Sequence, residues 1–320
     1  MILSVSRRTD IPAFYSEWFF NRLKEGFVYV INPFNRRKVS KVELNKETVD
    51  LFVFWTKDAG PMLKRLDELN EFKYYFQFTI TSYRNDVERM TRKKKDIIDT
   101  FRILSKKIGK EKVIWRYDPI FLNDFYTKEY HYRWFERFCD KLEGYTDKCI
   151  ISFLDLYKKT ETNTRCLNIH KMDEKSMREV AKQLSIIANK HNIIIETCSE
   201  GIDLSDYVIK KGSCIDKNLI SKIIDFEVEL KKDNNQRELC GCVKSVDIGQ
   251  YNTCKHHCLY CYANFNEKLL NDSILKYNPK APTLAYTLKG DEKITVREME
   301  SIRGNKQKQL DLFKNIKQGE

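Results

Sequence analysis

The feature that most constrains this chain is a repeated alternation of short apolar runs with longer charged segments across residues 1–200. Most of the apolar runs are nearly continuous, as expected for strands buried on both faces of a parallel sheet. The segments between them have helical spacing. About seven alternations predict an α/β fold on a parallel sheet, a complete or partial barrel of the TIM type. The strand candidates are residues 2–6, 27–31, 51–55, 74–81, 113–117, 149–154 and 193–197.

The character of the sequence changes from Asn234 onward. We expect residues 1–200 to form the barrel core and the cysteine-rich residues 201–275 to complete it, with a strand at 245–251 and a helix from Ala263. Residues 276–320 are charged and poor in large apolar clusters, so an extended, partly ordered tail is expected there. The helix candidates within the core are residues 15–25, 61–69, 96–108 and 176–191.

Polar residues follow most of the predicted strands. In a parallel barrel the carboxyl ends of the strands meet at one mouth, where catalytic groups lie. Polar loops also begin at strand ends in any fold, so the interpretation depends on these residues forming a ring. The catalytic candidates taken from this ring are Arg8, Asp10, Arg116, Asp118 and Glu196.

The charge balance is basic, with 58 Lys and Arg against 46 Asp and Glu, a net charge of +12. Such a balance favours anionic partners such as nucleic acid, although a Lys-rich composition alone produces the same number. Basic clusters at residues 36–38 and 89–95 could meet phosphates or form solvated faces. No run approaches the roughly 20 apolar residues that span a bilayer, and the opening segment lacks a signal-peptide pattern. We expect a soluble, cytoplasmic protein with no membrane partner.

Three of the ten cysteines, Cys254, Cys258 and Cys261, lie in one short loop. Thiolates at this spacing can hold three corners of a [4Fe–4S] cluster and leave the fourth iron open to a substrate or cofactor. The alternative is a zinc site completed by His256 or His257. The all-sulfur donor set favours iron–sulfur, and the two histidines are then expected to be solvated.

A second group comprises Cys198, Cys214, Cys240 and Cys242. Four thiolates suit a fully ligated second [4Fe–4S] cluster or a tetrahedral zinc ion, whereas buried thiols without a metal are the simpler alternative. The Cys-Gly-Cys element and the soft ligands favour a metal centre, and we expect a second iron–sulfur cluster.

The loop pattern C-x-x-x-C-x-aromatic-C, with Tyr260 before the last cysteine, resembles the signature of the radical S-adenosylmethionine superfamily. The string CLYCYAN and the segment WRYDP resemble its spore photoproduct lyase branch. Nearly the whole chain resembles the bacterial family called domain of unknown function 1848. The matching pieces are SRRTDIPAF, FWTKD, FQFTITSY, WRYDPI, CSEG and CGCVKSVDIGQYNTCKHHCLYCYAN.

The superfamily resemblance implies an α/β barrel whose open iron is chelated by the amine and carboxylate of S-adenosylmethionine. One electron then cleaves the cofactor to methionine and a 5′-deoxyadenosyl radical, so a reductant such as flavodoxin or ferredoxin is an expected partner. Tyr260 and the three loop cysteines are the cofactor-binding candidates. No Gly-Gly-Glu element is present for the methionine amine, and Glu196 and Glu200 are candidates by chemistry only.

The position of the cysteine loop departs from the superfamily, where it normally follows the first strand. Here it follows about seven strand candidates. A circular permutation would reconcile the two orders, with residues 245–251, the loop and its helix being the usual first βα unit.

Near the end of the chain, Gln309, Leu310, Leu312 and Phe313 resemble the peptide with which bacterial replication and repair proteins bind the sliding clamp. Such a peptide acts as an extended segment with apolar anchors, and the alternative is a short amphipathic turn that packs back on the domain. The leading hypothesis is therefore a radical S-adenosylmethionine enzyme acting on nucleic acid, in repair or modification. The alternatives are a zinc- or cluster-stabilised nucleic-acid-binding protein without catalysis, and a radical enzyme acting on small molecules or peptides.

Overall fold

The computed structural model describes residues 1–155, 158–225, 228–299 and 301–302. Within them the chain is a mixed α/β protein, with a large parallel sheet that is consistent with a partial α/β barrel. The strands are β1 (Ile2–Val5), β2 (Phe27–Ile31), β3 (Lys38–Glu43), β4 (Leu51–Thr56), β5 (Tyr74–Thr79), β6 (Val113–Ile120), β7 (Lys148–Phe153), β8 (Ile194–Cys198), β9 (Lys210–Gly212), β10 (Val246–Asp247) and β11 (Lys293–Val296). The helices are α1 (Ile11–Phe14), α2 (Ser16–Glu25), α3 (Gly60–Leu63), α4 (Lys94–Ile108), α5 (Lys128–Leu142), α6 (Lys158–Thr164), α7 (Glu174–Lys190), α8 (Lys217–Ile224) and α9 (Glu267–Leu275).

The large sheet has the order β10-β1-β4-β5-β6-β7-β8-β9, and every neighbouring pair is parallel. Six of the seven predicted apolar runs form its strands. The seventh, Phe27–Ile31, was wrongly assigned to this sheet, because it pairs antiparallel with β3 across a short hairpin loop. The strand expected at 245–251 is reduced to β10, and the helix expected from Ala263 begins at Glu267.

The two faces of the large sheet carry different cores, since successive side chains of a strand point to opposite sides. On one face Phe52 and Phe54 pack edge-on against Phe19 of α2, with ring centroids 5.5 and 5.4 Å apart. On the other face Val53 shares a cluster with Ile223 of α8 and with the second group of cysteines. The second group of cysteines is thus packed on the sheet face opposite α2. None of the described helices combines the length and apolarity needed to cross a bilayer.

The first part of the expected tail packs against the rest of the fold. The indole nitrogen of Trp18 donates to the carbonyl oxygens of Ala281 and Thr283, at 2.9 and 3.1 Å. Further along, β11 pairs with β3 in the small sheet. Backbone hydrogen bonds of β11 and the contacts with Trp18 therefore hold parts of residues 276–299 against the fold. Gln309, Leu310, Leu312 and Phe313 lie outside the described residues.

Candidate functional site

A cavity of about 1070 Å³ lies at the carboxyl ends of the parallel strands. Its wall contains all seven cysteines of the two predicted groups, together with four of the five catalytic candidates, Arg8, Asp10, Arg116 and Asp118. All ten cysteines of the chain are free thiols. The structure thus brings the two cysteine groups to one cavity.

The loop cysteines Cys254, Cys258 and Cys261 lie close together in surroundings that disfavour charge. Burial is the largest cause that raises the pKa of each thiol, and for Cys254 the other two thiols raise it further. The backbone amides of Ala263 and Asn264 act in the opposite direction and lower the pKa of Cys261. Backbone amides that act in this way stabilise a thiolate and tune a cluster bound to it.

His256 anchors this loop to the start of the chain. Its Nε2 atom lies 2.8 Å from Oδ2 of Asp10, and both side chains are buried, with 4% and 6% exposed. The Asp10 carboxylate also accepts the hydroxyl of Thr56 and the amide of Lys57. The expectation that His256 is solvated is wrong, because it pairs with a buried carboxylate. These contacts hold Asp10, which also lines the cavity, between the cysteine loop and the end of β4.

A second anchor is the fully buried carboxylate of Glu88. It accepts hydrogen bonds from the hydroxyls of Tyr260 and Thr81, and ion-pairs with Lys57 and Lys94 at 2.7 and 2.8 Å. Burial alone would raise the pKa of Glu88, but the two ammonium groups outweigh it and hold the pKa well below its usual range. Tyr260, a cofactor-binding candidate, therefore ties the loop to this carboxylate while also lining the cavity.

Sequence reasoning missed Glu88, which follows no strand directly. The one available signal was a single acid at the start of the basic cluster 89–95. Two members of that cluster form ion pairs within the fold, Arg92 with Asp58 and Lys94 with Glu88. The basic cluster at residues 89–95 is therefore not simply a solvated face.

The second cysteine group forms one chain of sulfur contacts. The sulfurs of Cys198 and Cys214 lie 3.0 Å apart. Cys242 influences the pKa of both Cys214 and Cys240, and it is the main cause that lowers the pKa of Cys240 to about 6. Within the described part of the chain, no three His, Cys, Asp or Glu side chains are already arranged to hold a metal ion. The four thiols are neighbours, and a metal would have to draw them around itself.

Arg116 and Asp118 link this group to the strand ends. The guanidinium of Arg116 pairs with the Asp118 carboxylate and donates from Nη1 to the sulfur of Cys214 at 2.7 Å. It also lies over the ring of Trp55, 5.3 Å from its centroid. Ser152 donates to Asp118 at 3.3 Å. These side chains form a continuous polar wall that ends at the sulfurs.

The two glutamates proposed for the methionine amine lie elsewhere. Glu196 pairs with Lys148 at 2.7 Å and is outside the cavity wall as described. Glu200 accepts the amide of Phe153 at 2.8 Å, and burial raises its pKa to about 7. Arg8, by contrast, lines the cavity and lies over the ring of Tyr251, 5.2 Å from its centroid.

Fold and site together define a mixed α/β protein whose cysteines surround a cavity at the carboxyl edge of a parallel sheet. The family model described as Domain of unknown function (DUF1848) matches residues 2–263, and the chain belongs to that family. The matched region ends just after the cysteine loop, so it includes both cysteine groups. No curated protein and no solved structure matches the chain.

Proposed function

We propose that this protein is a radical S-adenosylmethionine enzyme in which Cys254, Cys258 and Cys261 hold a [4Fe–4S] cluster with one open iron. The observation that carries the proposal is that these three thiols line one cavity. An all-sulfur donor set suits iron–sulfur chemistry. Because burial keeps the thiols neutral, a cation is needed to ionise them, and binding a cluster would supply it.

When bound, the cluster and S-adenosylmethionine supply the electron and the cleavable bond from which a 5′-deoxyadenosyl radical arises. The chain itself supplies a cavity that encloses the reactants and charged side chains that line it. A cavity of about 1070 Å³ is large enough for a cofactor and part of a substrate. Arg7 and Arg8 border it and can neutralise an anionic carboxylate. Asp118, held by Arg116, offers an acceptor in a wall that is largely shielded from water.

The position of β10 supports the circular permutation. It lies beside β1 at one end of the large sheet and is followed by the cysteine loop and α9. A strand, a loop and a helix in that order form a βα unit of the kind that carries the cluster in the superfamily that the loop resembles. The proposal therefore extends to a permuted partial barrel of the TIM type.

We also propose a second metal centre at Cys198, Cys214, Cys240 and Cys242, a [4Fe–4S] cluster or a zinc ion. Its support is the chain of sulfur contacts and the guanidinium of Arg116 at Cys214. A cation beside thiolates reduces their mutual repulsion. The same proposal includes a flavodoxin or ferredoxin as electron donor. It also includes nucleic acid as the substrate class and docking on the sliding clamp. The basic net charge of +12 supports an anionic substrate.

The experiment is anaerobic reconstitution with iron and sulfide, followed by reduction and an assay for 5′-deoxyadenosine released from S-adenosylmethionine. Single replacements of Cys254, Cys258 or Cys261 by Ala should abolish release. Cys166→Ala is the matched control, because Cys166 is exposed and outside the cavity wall as described. Stoichiometric zinc without iron in anaerobically purified protein would contradict the proposal and favour a metal-stabilised binding protein.

A further inference from the structure

The hairpin loop between β2 and β3 presents an aromatic side chain to solvent in a fixed turn. Phe34 is 96% exposed. The Oδ1 atom of Asn32 accepts the amides of Phe34 and Asn35, at 2.9 and 3.1 Å, and Oδ1 of Asn35 accepts the amide of Arg37. Asparagine side chains that bond the backbone in this way stabilise a tight turn. The turn therefore holds Phe34 outward, while Asn32 lines the cavity.

The small sheet that carries this hairpin has a basic face. Lys38 of β3 lies directly opposite Lys293 of β11, and Ser40 lies opposite Thr295. Because side chains alternate along a strand, these four residues share one face, and Arg297 continues it beyond the end of β11. The face is the cavity side, since Ser40 and Arg297 line the cavity.

The pairing of Lys38 with Lys293 points to an anionic ligand. The two residues are partners on neighbouring parallel strands, so their like charges lie close together and repel each other. Both side chains are exposed, so an anion can reach the space between them. Arg297 follows four residues after Lys293, about 13 Å away along an extended chain. A ligand that meets all three cations therefore carries repeated negative charges rather than one.

We infer that the hairpin tip and the cavity side of the small sheet bind a single-stranded nucleic acid, with phosphates at Lys38, Lys293 and Arg297 and a base stacked on Phe34. An exposed aromatic ring beside a basic track is the combination by which proteins bind unpaired strands. A duplex keeps its base faces covered, so the Phe34 ring favours a single strand. Arg297 lies both on the basic face of the small sheet and in the cavity wall, so a strand bound along that face reaches the cavity. This inference names the substrate class and path of the proposed function, and rests on that function only for the chemistry inside the cavity.

The test is fluorescence anisotropy with labelled single-stranded DNA, single-stranded RNA and a duplex, all of one mixed sequence. Binding of either single strand more tightly than the duplex is expected, and the tighter one identifies the source. Phe34→Ala should weaken that binding about tenfold, within the range for loss of base stacking. Phe34→Trp should retain it, and Phe34→Leu should lose as much as Phe34→Ala. Loss with leucine separates aromatic stacking from a general apolar contact.

The salt dependence tests the cations. Replacing Lys38, Lys293 and Arg297 together with Ala should reduce the slope of log affinity against log salt by about two, at about 0.7 for each single-strand phosphate. The matched control is the triple Ala variant of Lys175, Lys182 and Lys190 in α7, because it removes the same number of positive charges from exposed side chains. The control should retain the slope of the unsubstituted protein.

Three outcomes would overturn the inference: no binding of either single strand at low salt, Phe34→Ala binding within twofold of the unsubstituted protein, or equal loss of slope in the two triple variants. The assay contains no S-adenosylmethionine or reductant. The cofactor-cleavage assay contains no oligonucleotide. Failure of strand binding and failure of the proposed radical chemistry are therefore observed in separate experiments.

Discussion

The guanidinium of Arg116 lies against the sulfur of Cys214, with Nη1 and Sγ 2.7 Å apart. The same guanidinium is paired with Asp118, so one buried cation serves a carboxylate and a thiol. Burial opposes its charge, yet the neighbouring acid and thiols outweigh burial and raise the pKa of Arg116. Arg116, which lies within β6, thereby couples the second cysteine group to that strand.

Arg116→Gln should lower both the stability of the protein and the metal retained by the second cysteine group. Removing one partner of a buried ion pair leaves the other uncompensated, which costs about 3–5 kcal/mol. Urea unfolding and metal analysis measure the two effects. The control is Arg65→Gln, which breaks an exposed pair with Glu68 and should cost less than about 1 kcal/mol. Equal losses in the two variants would show that Arg116 has no special structural role.

Glu88→Gln should loosen the cysteine loop while leaving the second cysteine group intact. The change keeps the shape of the side chain but leaves Lys57 and Lys94 without their shared carboxylate. We expect the free energy of unfolding to fall by about 3 kcal/mol, together with a loss of iron from the loop. Chemical unfolding and iron analysis measure this. Glu71→Gln, at an exposed pair with Lys46, is the control, and retention of full iron by Glu88→Gln would contradict the anchoring role.

Simultaneous replacement of Cys254, Cys258 and Cys261 by Ala should remove one metal centre only. The second group has its own four thiols, so a [4Fe–4S] cluster there would leave about four irons in the protein. Iron, zinc and sulfide analysis of anaerobically reconstituted protein measures this. Zinc without sulfide at that centre would identify it as a zinc site, and loss of all metal would show that the second group holds none. From the sequence alone we expect the second centre to be spatially separate from the first, whereas the structure places the thiols of both groups in the wall of one cavity.

Strands with continuous apolar runs could be predicted from sequence, because their burial on two faces fixes their composition. β4 is such a case. β3 and β9 were missed since KVSKVE and KKG carry several lysines, and their pairing depends on neighbours distant in sequence. α5 was missed because aromatic and charged residues are mixed along its length, although its buried side includes Phe135 and Phe138.

Part of the candidate site could be predicted from the types of residue present and from the positions of the predicted strand ends. Cysteine spacing identified both thiol groups, and the strand ends identified Arg116 and Asp118. The contact of Glu88 with Tyr260 and the contact of His256 with Asp10 could not be found in this way. The two partners are separated by 172 positions in the first contact and by 246 in the second, so neither contact has a local sequence signature. Glu196 was chosen because it lies near the end of β8, but its partner Lys148 holds it outside the cavity wall.

The stability of the protein should fall as the pH drops from about 6.5 to about 4 because of His131. Burial lowers the pKa of His131 to about 4, whereas an unfolded histidine has a pKa of about 6.5. The unfolded chain therefore binds an extra proton in this window, and the free energy of unfolding decreases by up to about 3 kcal/mol. His131→Gln should show a flatter pH dependence in urea unfolding. A slope identical to that of the unsubstituted protein would show that His131 does not contribute.

Two truncations should separate the end of the chain into a structural part and a docking part. Truncation after Leu275 removes β11 and the carbonyl acceptors of Trp18, so it should lower the free energy of unfolding by about 3 kcal/mol or more, at about 1 kcal/mol for each hydrogen bond lost.

Truncation after Lys308 keeps those contacts and removes the segment that contains Leu310 and Phe313. We expect it to retain both stability and cofactor cleavage while losing binding to the bacterial sliding clamp. Each apolar anchor is worth roughly 1.5–3 kcal/mol before ordering costs, which gives affinities near micromolar.

Calorimetry with purified clamp, and thermal unfolding of both truncated proteins, measure these outcomes. Leu310→Ala with Phe313→Ala in the full chain is the sharper variant, because it keeps the charge and length of the segment. It should lose clamp binding to the same extent as truncation after Lys308. Clamp binding by the double variant at full affinity would assign docking to another surface. Failure of the full chain to bind clamp would remove docking from the proposed function, leaving strand binding by the hairpin as its link to nucleic acid.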